Sequence, residues 1–189
     1  LYETKRAALG QDPLREDCDP QALWKRVASS GRSIGALIMD QSFFTGPGNI
    51  YRAEILFKAS VHPNTLGKQL ERPQFDAIWH HTVALLRRGF ETGSIMTVDP
   101  QEAAVFGPQH QRRYIYNQLH CPRCQTRIVV WGINSRTCYA CPTCQPVVTP
   151  AAAGAATAAA VVTPERPCEP FHSHCARDSL EQRLSTPGR

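Results

Sequence analysis

Two Cys-x-x-Cys pairs, Cys121-Pro-Arg-Cys124 and Cys141-Pro-Thr-Cys144, are separated by a spacer of 16 residues. This feature constrains the fold more than any other in the chain. A Cys-x-x-Cys turn puts two sulfurs on one edge of a tight loop, and two such turns supply the four sulfurs of a tetrahedral metal site. The spacer contains two β-prone runs, Arg127 to Trp131 and Thr137 to Ala140, joined by Gly132 to Arg136. That pattern reads as a hairpin carrying a pair of cysteines at each end. The expectation is one structural Zn²⁺ held by Cys121, Cys124, Cys141 and Cys144, with binding energy that is also folding energy. Two redox disulfides, or iron in the same cage, are the alternatives for this spacing. A closed four-sulfur shell leaves no place for the adjacent His120 as a further ligand, and makes Cys138 a small strand residue within the hairpin. The remaining His-Ser-His-Cys cluster, His172 to Cys175, reads as chance proximity.

Upstream, the hydrophobic period is helical. Gln21 to Ser29 forms a short helix, with Asp19 as its N-cap, Pro20 at its first position, and Leu23, Trp24 and Val27 inward. Ser33 to Asp40 is a second helical piece, and Ile50 to Ala59 a third with Ile50, Ala53, Leu56 and Phe57 on one face. Glu71 to Phe90 is the longest helix, with Phe75, Ile78, Trp79, Thr82, Val83 and Leu86 as its stripe and Arg87-Arg88-Gly89 as its end. A short helix starts at Pro100, Gly107 to Arg113 is a polar loop, and Tyr114-Ile115-Tyr116 is strand-like. From residue 147 the chain turns to alanine, threonine and proline, the composition of a disordered tail.

Between the second and third helices lies Gly46-Pro47-Gly48-Asn49, a rigid turn aimed at a helix N-terminus. Free backbone N–H groups and the positive dipole end make such a terminus suit a phosphate. From local pattern alone, the favoured reading of Asn49 is an ordinary N-cap. Gly46 and Gly48 give the turn its freedom to adopt positive φ. The net charge is +5, and residues 1–145 hold 17 Lys/Arg against 12 Asp/Glu, so the excess positive charge lies outside the tail and suits a polyanion. No run of about 18 apolar residues marks a membrane span. The segment LYETKRAALG lacks the apolar core of a signal peptide, so the expected setting is intracellular.

In combination, Asp40-Gln41, Gly46-Pro47-Gly48-Asn49-Ile50-Tyr51 and Glu54, followed about 70 residues later by the four-cysteine hairpin, resemble the formamidopyrimidine-DNA glycosylase / endonuclease VIII family. Leu9-Gly10-Gln11-Asp12-Pro13-Leu14 is similar to that family's entry into its C-terminal domain, and Arg136 and Cys144-Gln145 match its finger. Pro47 departs from the branched aliphatic residue more usual between the two glycines.

The resemblance implies a mainly α chain in four parts. These are a linker over residues 1–19, a helix–two-turn–helix domain over 20–113, a four-cysteine zinc finger over 114–146 and a disordered tail over 147–189. It implies contact with damaged double-stranded DNA through Gly46, Gly48, Asn49, Ile50, Tyr51 and Arg136, with Arg136 also assigned to δ-elimination. The family's reaction is base excision of oxidised bases followed by strand nicking through β,δ-elimination. Its nucleophile is an N-terminal proline amine beside a glutamate, carried on a β-sandwich. This chain begins Leu1-Tyr2-Glu3, so these 189 residues are expected to bind DNA, as a monomer, without excising a base. The stretch TGSIMTVDP lacks the Gly-Gly-rich loop of the formamidopyrimidine branch, which favours an endonuclease VIII-like preference for oxidised pyrimidines. The competing expectations are a non-catalytic nucleic-acid-binding module of the same descent and a helical domain with an unrelated zinc ribbon for protein contacts.

Overall fold

A computed structural model describes Thr4 and residues 8–147. The expected tail beyond Val147 and the His172–Cys175 cluster lie outside the described residues. Over described residues 8–147, five α-helices precede one hairpin: α1 Pro20–Ala28, α2 Ile34–Leu37, α3 Asn49–Lys58, α4 Arg72–Thr92 and α5 Pro100–Ala103, then β1 Val129–Ile133 and β2 Arg136–Ala140. Single 3₁₀ turns lie at Gly67–Gln69 and Pro108–His110. The described part is thus mainly helical with a two-stranded antiparallel sheet. Among the described residues no helix is long and apolar enough to cross a membrane.

Asp19 starts α1 as its sequence predicts. Its carboxylate accepts from the amides of Gln21 at 2.9 Å and Ala22 at 3.0 Å, and Pro20 occupies the first turn, where no N–H is needed. Leu23 and Val27 are buried, and Trp24 packs its ring 5.1 Å from that of Phe75 in α4. The second helical piece is shorter than expected, because Asp40 turns the chain by accepting from the amide and hydroxyl of Ser42 at 3.0 and 2.7 Å.

Helix α4 buries Phe75, Ile78, Thr82 and Leu85, a line at steps of three and four residues. The expected members Trp79, Val83 and Leu86 lie at the edge of that stripe and are half-buried. The helix also runs past the expected stop at Gly89, ending at Gly93 in the left-handed region, φ 61°. Gly89 serves packing instead: a Cβ there would stand 2.1 Å from the Tyr51 hydroxyl.

Helix α3 is a wall of two cores. Ile55 and Leu56 join Leu23, Ile34, Leu37, Ile38, Phe44 and Phe75 in the first. Ala53 and Phe57 join Val98, Tyr114, Ile115, Cys121, Ile128 and Cys141 in the second, which therefore spans residues on both sides of position 113. Each fully buried apolar side chain of this size stabilises the fold by about 1.5–3 kcal/mol.

Tyr114-Ile115-Tyr116 is not a strand. Their three amides donate to the carboxylate of Glu54, at 2.7, 2.9 and 2.8 Å, so a buried side chain satisfies the N–H groups that a β-partner would otherwise take. The hairpin loop is tighter than the expected Gly132–Arg136. Ile133 pairs with Arg136, leaving Asn134 and Ser135 at φ 49° and 59°, the left-handed pair of a two-residue type I′ turn.

Candidate nucleic-acid interface and metal centre

The turn before α3 is built from side chains that sequence spacing alone treats as polar surface. Gln41 spans it, accepting from the Gly46 amide at 2.8 Å and donating to the Pro47 carbonyl at 3.1 Å. Gly46 has φ 107°, a region costly for any other residue, whereas Gly48 is extended at φ −108° and ψ −171°, against the expectation of positive φ at both. Segment 9–14 braces the same loop. The Gly10 amide donates to the Gln41 carbonyl at 2.8 Å, the Gln11 amide to Phe43 at 3.1 Å, and the Thr45 amide to Gln11 at 2.9 Å.

Gly48, not Asn49, is the N-cap of α3, so no side chain caps this end. A Cβ added at Gly48 would meet nothing within 4 Å, and the approach to the first-turn amides is open on that side. Asn49 is the first helical residue. Its Nδ2 donates to the Thr137 carbonyl of β2 at 3.0 Å, and its Oδ1 accepts from Arg52 Nη2. Arg52, wholly buried, also donates to Thr137 at 2.9 Å and to the Gly35 carbonyl at 3.3 Å. The N-terminus of α3 is thereby tied to the strand that carries Arg136.

Arg136 is exposed, and no hydrogen bond or ion pair joins its guanidinium to another described residue. It borders a cleft of about 330 Å³ with Arg32, Met39, Asp40, Ile133 and Asn134. Hydrogen bonds from the Ser42 hydroxyl and from Arg32, 2.7 Å away, pull the Asp40 carboxyl down to about 2, so the Arg32–Asp40 pair is ionised at neutral pH. Of the other expected contacts, Ile50 is half-buried, and Tyr51 packs against the first core with its hydroxyl near Gly89. Burial raises the pKa of Tyr51.

The four cysteines converge. Their sulfurs all lie within 4.8 Å of one another, with separations of 3.8 Å for Cys121–Cys144, 3.4 Å for Cys124–Cys141 and 3.6 Å for Cys124–Cys144. Tetrahedral Zn–S bonds of about 2.3 Å require sulfurs about 3.8 Å apart, so the set fits such an ion. Each knuckle closes on a backbone bond: the Gln125 amide donates to Cys121 and that of Gln145 to Cys141, at 2.9 and 2.8 Å. Burial pushes the Cys121 thiol up to about 11. His120 is not in the cluster, and Cys138 is buried in β2 away from it.

Three further residues lock the knuckles to the helices. Gln145, fully buried, accepts from the Cys141 amide at 3.1 Å and donates to the Val61 carbonyl at 2.8 Å. Trp131 stacks on His62 with ring centroids 5.4 Å apart and bonds Asn64 Oδ1 at 3.2 Å. Arg123 lies 5.0 Å from the centroids of both Phe57 and Tyr114 and donates to Glu102 at 3.1 Å. Helical spacing does not single out the buried roles of Arg52 and Glu54, because it reads charged positions as solvent-facing. The one available signal was the inclusion of Glu54 in the glycine-rich motif.

Residues 9–100 match the family model described as the formamidopyrimidine-DNA glycosylase H2TH domain. The chain is 38% identical over 144 residues to Endonuclease 8 1 of Mycobacterium tuberculosis, covering 74% of this chain and 54% of that protein. It is 33% identical over 148 residues to the formamidopyrimidine-DNA glycosylase of Legionella pneumophila, covering 76% and 53%. The fold matches that of Lactococcus lactis formamidopyrimidine-DNA glycosylase, solved bound to DNA containing an abasic site. The TM-score is 0.64 at 22% identity, over 77% of this chain and 53% of that one. The chain spans about half the length of the curated relatives it matches. Over this shared part, the chain belongs to the formamidopyrimidine-DNA glycosylase / endonuclease VIII family.

Proposed function

We propose that residues 8–147 form the DNA-gripping part of a base-excision-repair DNA glycosylase and AP lyase, acting on damaged double-stranded DNA inside the cell. One observation carries the reading: Asn49 and Arg52 tie the open N-terminus of α3 to the backbone of Thr137 in β2, the residue that follows Arg136. A phosphate accepts hydrogen bonds from those amides and from the second N–H of Asn49 Nδ2, which has no acceptor among the described residues. The planar fork of Arg136 suits a neighbouring phosphate. During δ-elimination, the role its family counterpart implies, that contact steadies the leaving phosphate. The metal is a single structural zinc on Cys121, Cys124, Cys141 and Cys144; it supplies folding energy and no chemistry. The higher identity to the endonuclease 8 relatives supports oxidised pyrimidines as the lesion class.

Fluorescence anisotropy with a short duplex holding one tetrahydrofuran abasic-site analogue tests this. At about 50 mM salt the chain binds, and its affinity falls with added salt by a slope matching two or three phosphates. Arg136→Ala lowers both the affinity and the slope. Absence of binding at low salt, or binding indifferent to salt, would defeat the reading.

A further inference from the structure

Arg52 is an anomaly. It lies at the end of the first turn of the motif helix, is wholly buried, and belongs to none of the ion pairs among the described residues. Burial works against its charge, and the oxygens that accept from it belong to Gly35, Asn49 and Thr137, none of them a carboxylate. Glu54, two residues on, is committed to the amides of Tyr114, Ile115 and Tyr116. Arginine does not escape burial by losing its proton, so a lone buried guanidinium persists only where its position is worth the desolvation.

Its bonds show what is held. Nη1 and Nη2 reach three oxygens on three elements: Gly35 in α2, Asn49 at the start of α3 and Thr137 in β2. Arginine only donates, so the Asn49 oxygen must face it. The amide nitrogen of Asn49 then points at the Thr137 carbonyl, which accepts from both residues. Thr137 follows Arg136 directly, and Arg136 closes the hairpin turn opposite Ile133. Gly35 belongs to the same joint, because a Cβ there would stand 2.9 Å from the Pro63 carbonyl and 3.2 Å from Ile133.

We propose that Arg52 is a positioning residue that clamps α2, α3 and β2 together, and so fixes both the orientation of the Asn49 amide and the place from which Arg136 reaches DNA. The proposal rests on the DNA-gripping reading and adds to it a residue that touches no DNA. Lysine, a point donor on a flexible stem, cannot bridge three elements, so the fork rather than the charge is what matters here.

The test is a double-mutant cycle read by anisotropy with the abasic-analogue duplex, alongside zinc content and thermal unfolding. Arg52→Met keeps its metal and binds about tenfold more weakly. In an Arg136→Ala background the same substitution changes affinity little, because the group it places is gone. Arg52→Lys does not restore binding. Wild-type affinity in Arg52→Met, simple additivity with Arg136→Ala, or full rescue by lysine would each overturn the proposal. Should Arg52→Met fail to fold, Arg52→Lys with and without Arg136→Ala completes the cycle. If the unmutated chain binds no duplex, the DNA-gripping reading itself falls. If it binds and Arg52→Met binds equally, only the positioning role falls.

Discussion

Glu54 takes three backbone amides and the Thr97 hydroxyl onto one carboxylate, in a place fully shut off from solvent. The three amides can only donate, and the two carboxylate oxygens accept from all of them. Glu54→Gln puts an NH₂ group against those donors. We expect it to lower stability by about 3 kcal/mol, measured by urea unfolding of the metal-loaded chain. Asp40 makes a pH-dependent contribution. Its carboxyl sits at about 2 when folded, held down by Ser42 and Arg32, against about 3.9 for an unperturbed aspartate. The group therefore stabilises the fold above pH of about 4 and loses that contribution as pH falls toward about 2. The stability difference between the wild type and Asp40→Asn should shrink across that window. Cysteine protonation affects both proteins alike and drops out of the difference. The residues proposed to meet DNA, Asn49 and Arg136, are legible from the motif. Arg52 and Glu54 are not, because their burial depends on partners 85 and 60 residues away that no local pattern records.

At the scale of elements, the start of α1 and the existence of α4 can be read from capping residues and apolar spacing. The end of α4 cannot, because Gly89 looks like a cap and is instead the gap into which Tyr51 fits. The run Tyr114 to Tyr116 has a strand's composition, and its fate was decided by a carboxylate from α3. Segment 9–14, irregular by sequence, is held to the Gln41–Thr45 loop by backbone bonds that need close approach. A Cβ on Gly10 would come within 2.4 Å of the carbonyl oxygens of Ser42 and Phe43. Those are backbone atoms and cannot swing aside. Gly10→Ala should cost about 2 kcal/mol and speed amide exchange at Gln11 and Thr45 while leaving the finger amides protected. Unchanged exchange at Thr45 would show that the segment does not brace the loop.

At the scale of the whole described molecule, the finger and the helices are joined by the bonds of Asn49 and Arg52 to Thr137 and of Glu54 to Tyr114–Tyr116, and also by Gln145 to Val61, Trp131 to His62 and Asn64, and Arg123 to Glu102 between two aromatic rings. Cys121 and Cys141 are themselves part of the second core with Ala53 and Phe57. Removing the proposed zinc should therefore be felt beyond the hairpin. Chelation, or Cys124→Ser, is expected to lower the thermal midpoint of the helical circular dichroism by about 5 °C or more and to weaken duplex binding. A helical midpoint indifferent to chelator would mean that the two parts unfold independently.

The double membership of α3 also bears on how such a finger can be reused. Its floor is a helix face laid down some 60 residues earlier, and residues 53 and 57 of that face are spoken for by the finger while 55 and 56 serve the other core. Transplanting residues 117–147 alone into a foreign scaffold would leave the cysteine knuckles without the surface they rest on. A working graft must carry the motif helix too, and a chimera between relatives should exchange the two as one inherited block.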